Sequence, residues 1–197
     1  MKKNLVRSLV LSLILSFTSL AQAAPQTFKL DPDHTYVLWR IKHLGFSTQS
    51  GKWYASGTLV LDKENPKNDK VNAIIDVADV VTGLPELDKH LRSDQFFYTL
   101  KYPTATFVSD KVTVINGKAA KVSGMLTLRG VSKPVTLNVV FNQMAPNPIT
   151  DNNTVGFSAT GQIKRSDFGM TAFLPALADE VQLDIQAEAF QPKPVSR

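Results

Sequence analysis

The chain has 197 residues, of which 43% are hydrophobic and 20% charged, with a formal net charge of +5 and no cysteine. The lack of cysteine excludes a disulfide framework and a zinc site built from thiolates. Three of the basic residues precede residue 24, so the rest of the chain has 19 basic against 17 acidic residues. Because no basic stripe with interleaved aromatic residues is present, we predict no nucleic-acid partner.

Residues 1–23 have the pattern of an export signal. A basic start and an apolar stretch, residues 9–20, precede the small-residue sequence AQA that ends at Ala23. This order is typical of a signal peptide cleaved near Ala23, and a retained anchor helix is the alternative. The apolar stretch is short for a membrane span. We therefore predict a periplasmic or secreted protein in which residues 24–197 form a single domain, without stable membrane insertion after cleavage.

Alternation of apolar and polar side chains predicts about eight strands joined by short turns. The predicted strands cover residues 35–43, 51–61, 71–77, 105–114, 122–128, 135–141, 155–163 and 181–189. Asn116-Gly117 favours a two-residue hairpin turn between the fourth and fifth of them. Almost every strand has one apolar face, which a closed antiparallel barrel or a two-sheet sandwich would bury. Eight strands can enclose one small ligand.

One segment between the third and fourth strands has helical spacing instead. The leucines that recur at i, i+3 and i+7 are Leu84, Leu87 and Leu91. Pro85 suits a first helical turn, and Thr82 is a candidate N-cap. A second short turn is predicted to end at Phe96-Phe97. We predict a short helical insertion over about residues 84–97 that buries its apolar face against the sheet, where it plugs one end of a barrel or flanks a cavity.

A second unusual segment, residues 168–178, has the sequence FGMTAFLPALA and joins the last two predicted strands. It is apolar without a period of two, whereas connectors exposed to solvent are normally polar. We predict that it packs on the core as a flap, lines an opening, or does both. Gly169 allows a bend near its start, and Pro175 stiffens its exit.

Catalytic and metal chemistry find little support in the sequence. The three histidines, His34, His43 and His90, form no pair at metal-ligand spacing. The chain also lacks a G-x-S-x-G nucleophile motif and a Gly-rich phosphate loop. We therefore predict no catalytic residue, no metal site and no cofactor.

The apolar and aromatic residues of the strands and of the two apolar segments instead predict a cavity that holds a long apolar ligand. Residues expected to line it from the strands are Val37, Trp39, Ile41, Trp53, Phe107, Leu126 and Phe157. Residues expected to form a gate at one end are Leu87, Leu91, Phe96, Phe97, Phe168, Met170, Phe173 and Leu174. Phe46, in the break between the first two strands, completes the predicted lipid-binding set.

An ordered set of motifs resembles the YceI-like family of exported lipid-binding proteins, over residues 28–190. The motifs are Asp31-x-x-His34-Thr35, Lys42-His43-Leu44-Gly45-Phe46, Gly51-x-Trp53, Thr82-Gly83, Asp88-x-His90-Leu91-Arg92-Ser93, Phe96-Phe97, Lys101-Tyr102-Pro103-x-x-x-Phe107, residues 124–134 (GMLTLRGVSKP) and Arg165-Ser166-Asp167-Phe168-Gly169-Met170. The resemblance implies an all-β, eight-stranded antiparallel, lipocalin-like barrel. It also implies a long cavity for a polyisoprenoid, an isoprenoid quinone or a fatty amide, no catalytic activity, and frequent homodimers.

One position departs from the family pattern. An Arg-Asp pair is usual in the helical segment, whereas Leu87 precedes Asp88 here. The resemblance therefore implies no charged head-group contact from this position. The function expected is a carrier of a long-chain isoprenoid-type lipid. The alternatives are a stress-response factor that acts through protein contacts and an exported enzyme.

Overall fold

The computed structural model describes residues 24–192. The predicted signal peptide, residues 1–23, and the last five residues, 193–197, lie outside the described part of the chain. The described strands are β1 (Gln26–Leu30), β2 (Tyr36–His43), β3 (Ser47–Leu61), β4 (Lys70–Asp76), β5 (Thr104–Val114), β6 (Ala119–Leu128), β7 (Val131–Pro146), β8 (Asn153–Lys164) and β9 (Leu177–Phe190). One α-helix, α1 (Pro85–Leu91), and two short 3₁₀ turns, Pro66–Asn68 and Arg165–Phe168, complete the described elements.

The strands form one antiparallel sheet that closes on itself. Its order is β1-β3-β2-β9-β8-β7-β6-β5-β4, and further pairings join β3 to β4 and β1 to β9. Both β1 and β2 pair with β3 and with β9, at successive levels. They therefore share one position in the wall, and the nine strands fill eight positions. The predicted eight-stranded barrel is confirmed, although β1 was not predicted as a strand.

The alternation places one set of side chains inside the barrel. On β3, Trp53, Ala55, Leu59 and Leu61 are buried, as the sequence pattern predicted. On β5 the register shifts between Ser109 and Lys111. This bulge explains why Val112 is buried although it does not share the parity of Phe107.

The predicted helical insertion is confirmed in position, but the α-helix covers only Pro85–Leu91 of the predicted residues 84–97. Pro85 is the first helical residue, and Leu84 rather than Thr82 is the N-cap residue, without a side-chain cap. The Asp88 carboxylate accepts hydrogen bonds from the backbone N–H and the hydroxyl of Thr82, and so ties the residues before the helix to its side. Arg92 then fixes the end of the helix by donating to the carbonyl oxygens of Ala78 and Val80. None of the helices in residues 24–192 is long and apolar enough to cross a membrane.

The two ends of the barrel differ in how they are covered. We call one the mouth end; it contains α1, the β2–β3 turn, the β6–β7 turn and the apolar segment 168–178. We call the other the far end; it contains the connections 62–69, 115–118 and 147–152. The connection 115–118 lies at the predicted hairpin, but it is longer than the two-residue turn predicted. The side chain of Asn116 accepts hydrogen bonds from the N–H groups of Lys118 and Ala119 there.

Candidate functional site

The barrel encloses an apolar cavity, which we call the inner cavity, of about 200 Å³. Its wall comes from the inward faces of the strands, so its lining alternates along each strand in the way that the sequence pattern requires. Asp69 and Lys70 border it at the far end, and Thr35 is another polar residue in its lining. The Thr35 hydroxyl donates to the carbonyl oxygen of Glu188. The hydrogen-bonding groups of this side chain are therefore directed to the wall and not to a guest.

A larger cavity of about 570 Å³, which we call the mouth cavity, lies at the mouth end. It is bounded by α1, by Phe96 and Phe97 after it, and by the apolar segment 168–178. The side chains from these parts of the chain that line it are Leu87, His90, Leu91, Phe96, Phe97, Met170, Phe173, Leu174, Ala176 and Leu177. Segment 168–178 therefore both packs on the core and lines an opening, the two alternatives that the sequence predicted. Phe168 and Met170 are buried, while Phe173 lines the cavity and is 57% exposed.

Trp53, Leu128 and Ile163 line both cavities and form the neck between them. The ring of Trp53 lies 5.8 Å from that of Trp39 and 5.0 Å from that of Phe97 between centroids. The indole N–H groups of Trp39 and Trp53 are buried and have no hydrogen-bond partner among the described residues. The neck is therefore flanked by aromatic rings, two of which have a buried N–H group without a partner.

Arg165 anchors the apolar segment 168–178 by hydrogen bonds to its backbone. Its side chain is only 3% exposed, and its guanidinium donates to the carbonyl oxygens of Met170, Leu177 and Ala178 at 2.7, 2.9 and 2.8 Å. Burial lowers the pKa of this guanidinium, and the nearby charge of Asp179 acts in the opposite direction. Because arginine stays charged in proteins, Arg165 supplies fixed donors to backbone groups that would otherwise be buried without partners.

The far end of the inner cavity is closed by the connection between β3 and β4. The Asp69 carboxylate accepts a hydrogen bond from the backbone N–H of Asp62 at 2.7 Å. The Asp62 carboxylate in turn accepts bonds from the N–H groups of Glu64 and Asn65 and from the Asn68 amide. Burial raises the pKa of Asp69 to about 6; the hydrogen bond from Asp62 lowers it, and the Asp62 charge raises it further. The Asp69 carboxyl group therefore has a raised pKa, of about 6, beside the charged Asp62 carboxylate.

The histidines lie in separate surroundings. His34 is hydrogen bonded to Asp31 at 2.9 Å, and this bond and the charge of Asp31 raise the pKa of the imidazole. His43 and His90 line the mouth cavity, where the His90 ring packs edge-on against Phe96. Within residues 24–192, no three His, Cys, Asp or Glu side chains are grouped so that they could hold a metal ion. The expected lack of a metal site stays a prediction.

The structure brings most of the predicted lipid-binding residues to the two cavities. Those that line the inner cavity are Val37, Trp53, Phe107, Leu126 and Phe157. Those that line the mouth cavity are Trp39, Ile41, Trp53, Leu87, Leu91, Phe96, Phe97, Met170, Phe173 and Leu174. Two predicted residues lie elsewhere. Phe168 is buried in the core beneath the mouth, and Phe46 is 90% exposed in the β2–β3 turn.

Some lining residues were not selected from the sequence. Leu137, Leu183 and Ile185 line the inner cavity, and their alternation along β7 and β9 was the signal that could have found them. Arg165 lines the mouth cavity, but nothing in the local pattern marks it as buried. An arginine after a strand is ordinarily exposed, so only its three carbonyl partners reveal its role.

Comparisons with known proteins agree with this architecture. Protein YceI from Salmonella arizonae is 40% identical over 194 residues, covering 98% of this chain and all of that protein. The crystal structure of Burkholderia cenocepacia BcnA has a TM-score of 0.71 and 25% identity, covering 81% of this chain and 98% of its own. The Campylobacter jejuni YCEI protein has a TM-score of 0.67 and 33% identity, covering 77% and 90%.

A more distant structure shares the fold alone. It is a polyisoprenoid binding domain from Saccharophagus degradans, with a TM-score of 0.63 and 16% identity, covering 84% of this chain and 98% of that domain. The YceI-like domain family matches residues 28–189 of this chain. This match spans nearly the whole barrel, and together with the identity to the Salmonella protein it shows that the chain belongs to the YceI-like family.

Proposed function

We propose that this protein binds and carries a long-chain isoprenoid-type lipid, without catalysis, in the periplasm. The observation that carries the proposal is the pair of adjoining apolar cavities, of about 200 and 570 Å³, inside a barrel of this size. A barrel filled by its own side chains would favour a protein that acts only through its surface. The Saccharophagus degradans domain, which has the same fold, is a polyisoprenoid binding domain, and this supports the capacity of the fold for such a guest.

The energetics favour recognition of the chain over recognition of a head group. Each CH₂ group that leaves water contributes about 0.8 kcal/mol, whereas one hydrogen bond contributes about 1 kcal/mol net. A guest with several prenyl units therefore gains most of its binding free energy from the apolar walls. The cavity linings are nearly all apolar, which suits this mode of binding.

The neck adds a preference for the kind of guest. The indole N–H groups of Trp53, which lines both cavities, and of Trp39, which lines the mouth cavity, are buried without a partner among the described residues. A guest with a hydrogen-bond acceptor next to its chain, such as the carbonyl group of a quinone or a fatty amide, would satisfy a donor that is otherwise buried at a cost. These donors favour such guests over a pure hydrocarbon.

The direct test is to purify the protein from its native periplasm, extract it with organic solvent and analyse the extract by mass spectrometry. We expect a long-chain isoprenoid-type lipid in near-stoichiometric amount. Ala159→Phe fills the inner cavity and should reduce the lipid retained. Thr160→Phe is the matched control, because the neighbouring side chain is exposed on the outer face. A wild-type extract without lipid, or equal retention by both variants, would reject the proposal.

The preference at the neck has its own readout. The chain has two tryptophans; Trp53 lies at the neck, and the ring of Trp39 packs 5.8 Å from it. A short-chain quinone should therefore quench tryptophan emission on binding, and an alkane of equal length, which has no hydrogen-bond acceptor, should displace it only at much higher concentration. Fractionation of the host cell and N-terminal sequencing test the location, with Ala24 as the expected first residue.

A further inference from the structure

The β2–β3 hairpin ends in a segment that is exposed along its whole length. Every residue from Lys42 to Ser50 is exposed. Pairing of β3 with β4 begins only at Ala55, and beyond it an isolated bridge joins Lys52 to Val81. At the mouth end, the outer part of β3 therefore pairs with β2 on one side and has no neighbouring strand on the other.

The tip of this hairpin is apolar. Phe46 is 90% exposed and Leu44 is 46% exposed. Leu44 and Gly45 both have positive φ angles, of 53° and 77°, and the Phe46 N–H donates to the His43 carbonyl at 3.0 Å. The turn is therefore well defined, and its geometry directs Phe46 away from the barrel. Phe173, also exposed, lies at the same end in the lining of the mouth cavity.

The hairpin also contains cations and no carboxylate. Residues 36–54 contain Arg40, Lys42 and Lys52 and no acidic residue. Arg40 and Lys42 alternate with the inward residues of β2, so they lie on the outer face behind the apolar tip. An apolar tip followed by cations is the order that an anionic lipid surface requires, with apolar groups in the acyl layer and cations at the phosphates.

The far end of the barrel also has an exposed apolar side chain, but in different surroundings. Ile149 is 91% exposed in the connection 147–152. That connection contains an acidic residue and no basic one, and it lies at the opposite end from the mouth cavity. The connection 147–152 therefore has an exposed apolar side chain, but no basic residue and no cavity opening beside it.

We propose that the tip of the β2–β3 hairpin docks the mouth of the barrel onto an anionic lipid bilayer. Leu44 and Phe46 enter the interfacial layer, and Lys42 and Arg40 contact the head groups. The contact is peripheral and spans nothing. It goes beyond lipid carriage, because docking needs no cargo. For a carrier, its consequence is that an apolar chain passes from bilayer to mouth cavity without crossing water.

Co-sedimentation with vesicles of phosphatidylethanolamine and phosphatidylglycerol tests the proposal. Phe46→Ser should lower the partition coefficient about tenfold, because one large apolar side chain no longer enters the interface. Ile149→Ser is the matched control, with equal exposure at the far end, and should bind as the wild type does. Both sites are exposed, so circular dichroism should show unchanged folding.

The charge component is measured separately. Lys42→Gln should lower partition about fivefold on anionic vesicles and leave it unchanged on phosphatidylcholine vesicles. Raising the salt concentration from 0.1 to 1 M shortens the screening length from about 10 to about 3 Å and should weaken wild-type binding in the same way.

Two results would overturn the proposal. One is equal vesicle binding by the Phe46 and Ile149 variants. The other is a loss of dimer in sedimentation velocity for Phe46→Ser with no change on vesicles, which would make the tip a contact between two copies. Docking and carriage can also fail separately. Vesicle binding without extractable lipid would remove the carrier function alone, and extractable lipid without vesicle binding would remove docking alone.

Discussion

Trp53 on β3 and Phe97, which follows α1, pack edge to face with ring centroids 5.0 Å apart and an angle of 71° between their planes. This contact joins the barrel wall to the helical insertion at the neck. Trp39 extends the cluster, 6.4 Å from the Phe97 ring. The insertion is therefore anchored at Trp53, which lines both cavities.

The first prediction concerns Gly51, which leaves room for the Trp39 ring. A methyl group at Gly51 would lie 2.2 Å from Cζ2 of Trp39, so Gly51→Ala must displace the indole. We expect a loss of about 1–3 kcal/mol in the free energy of unfolding and a shift in tryptophan emission. Gly117→Ala, which would meet nothing within 4 Å, is the control. Identical urea midpoints and spectra for the two variants would contradict this account.

The second prediction tests the gate. Phe173→Asp places a charge in the apolar lining of the mouth cavity, so retained lipid should fall at least about tenfold in extracts. Because Phe173 is 57% exposed and stacks on Phe96 at the periphery, the free energy of unfolding should fall by only about 1 kcal/mol. Ile149→Asp makes the same change at the far end and should retain lipid. If Phe173→Asp unfolds the protein outright, the segment is core and not a gate.

The third prediction concerns the support of segment 168–178. Arg165→Met keeps an unbranched apolar stem but removes the guanidinium that donates to three carbonyl groups. We expect a loss of about 3 kcal/mol and faster proteolysis between Met170 and Ala178, since buried carbonyls lose their partners. The neighbouring exposed residue provides the control, Lys164→Met, which should change stability by less than about 0.5 kcal/mol. Equal cleavage rates would show that Arg165 does not hold the segment.

The fourth prediction is a pH dependence at the far end. The folded state raises the pKa of Asp69 to about 6, so between about pH 4 and pH 6 the folded protein keeps a proton that the unfolded chain has released. The contribution of Asp69 to the free energy of unfolding therefore falls as pH rises through this window, by about 1–2 kcal/mol after allowance for solvent screening.

Asp69→Asn isolates this contribution, because the amide oxygen can still accept the hydrogen bond from the Asp62 N–H. The stability of the variant relative to the wild type should rise from pH 4 to pH 7. Chemical denaturation at several pH values measures it. A difference that stays constant, or one that falls, would show that Asp69 is not buried in its neutral form.

The strand pattern predicted most of the barrel, because side chains alternate strictly between the two faces of a strand. It missed β1, whose five residues give too short an alternation beside the start of the domain. It also could not locate the bulge after Ser109, which changes the parity of β5 and turns Val112 inward. Such a shift depends on the neighbouring strand and leaves no local mark.

The candidate site divides in the same way. Composition and spacing identified both apolar segments at the mouth, since apolar connectors need a surface to bury against. They did not separate Phe46 from Phe173, because both are phenylalanines in connections. Only the fold shows that Phe173 lines the mouth cavity while Phe46 lies on an exposed hairpin tip.

The sequence by itself determined the fold class, the inward face of most strands, the helical insertion and the family, because these follow from local periodicity and ordered motifs. Closure of the sheet decided the rest. It set the depth at which each inward residue lies, so that Trp53 stands at the neck between two cavities. It also brought Arg165 under the carbonyl groups of a distant segment. Depth and partnership depend on register between strands remote in sequence, and no single strand contains that information.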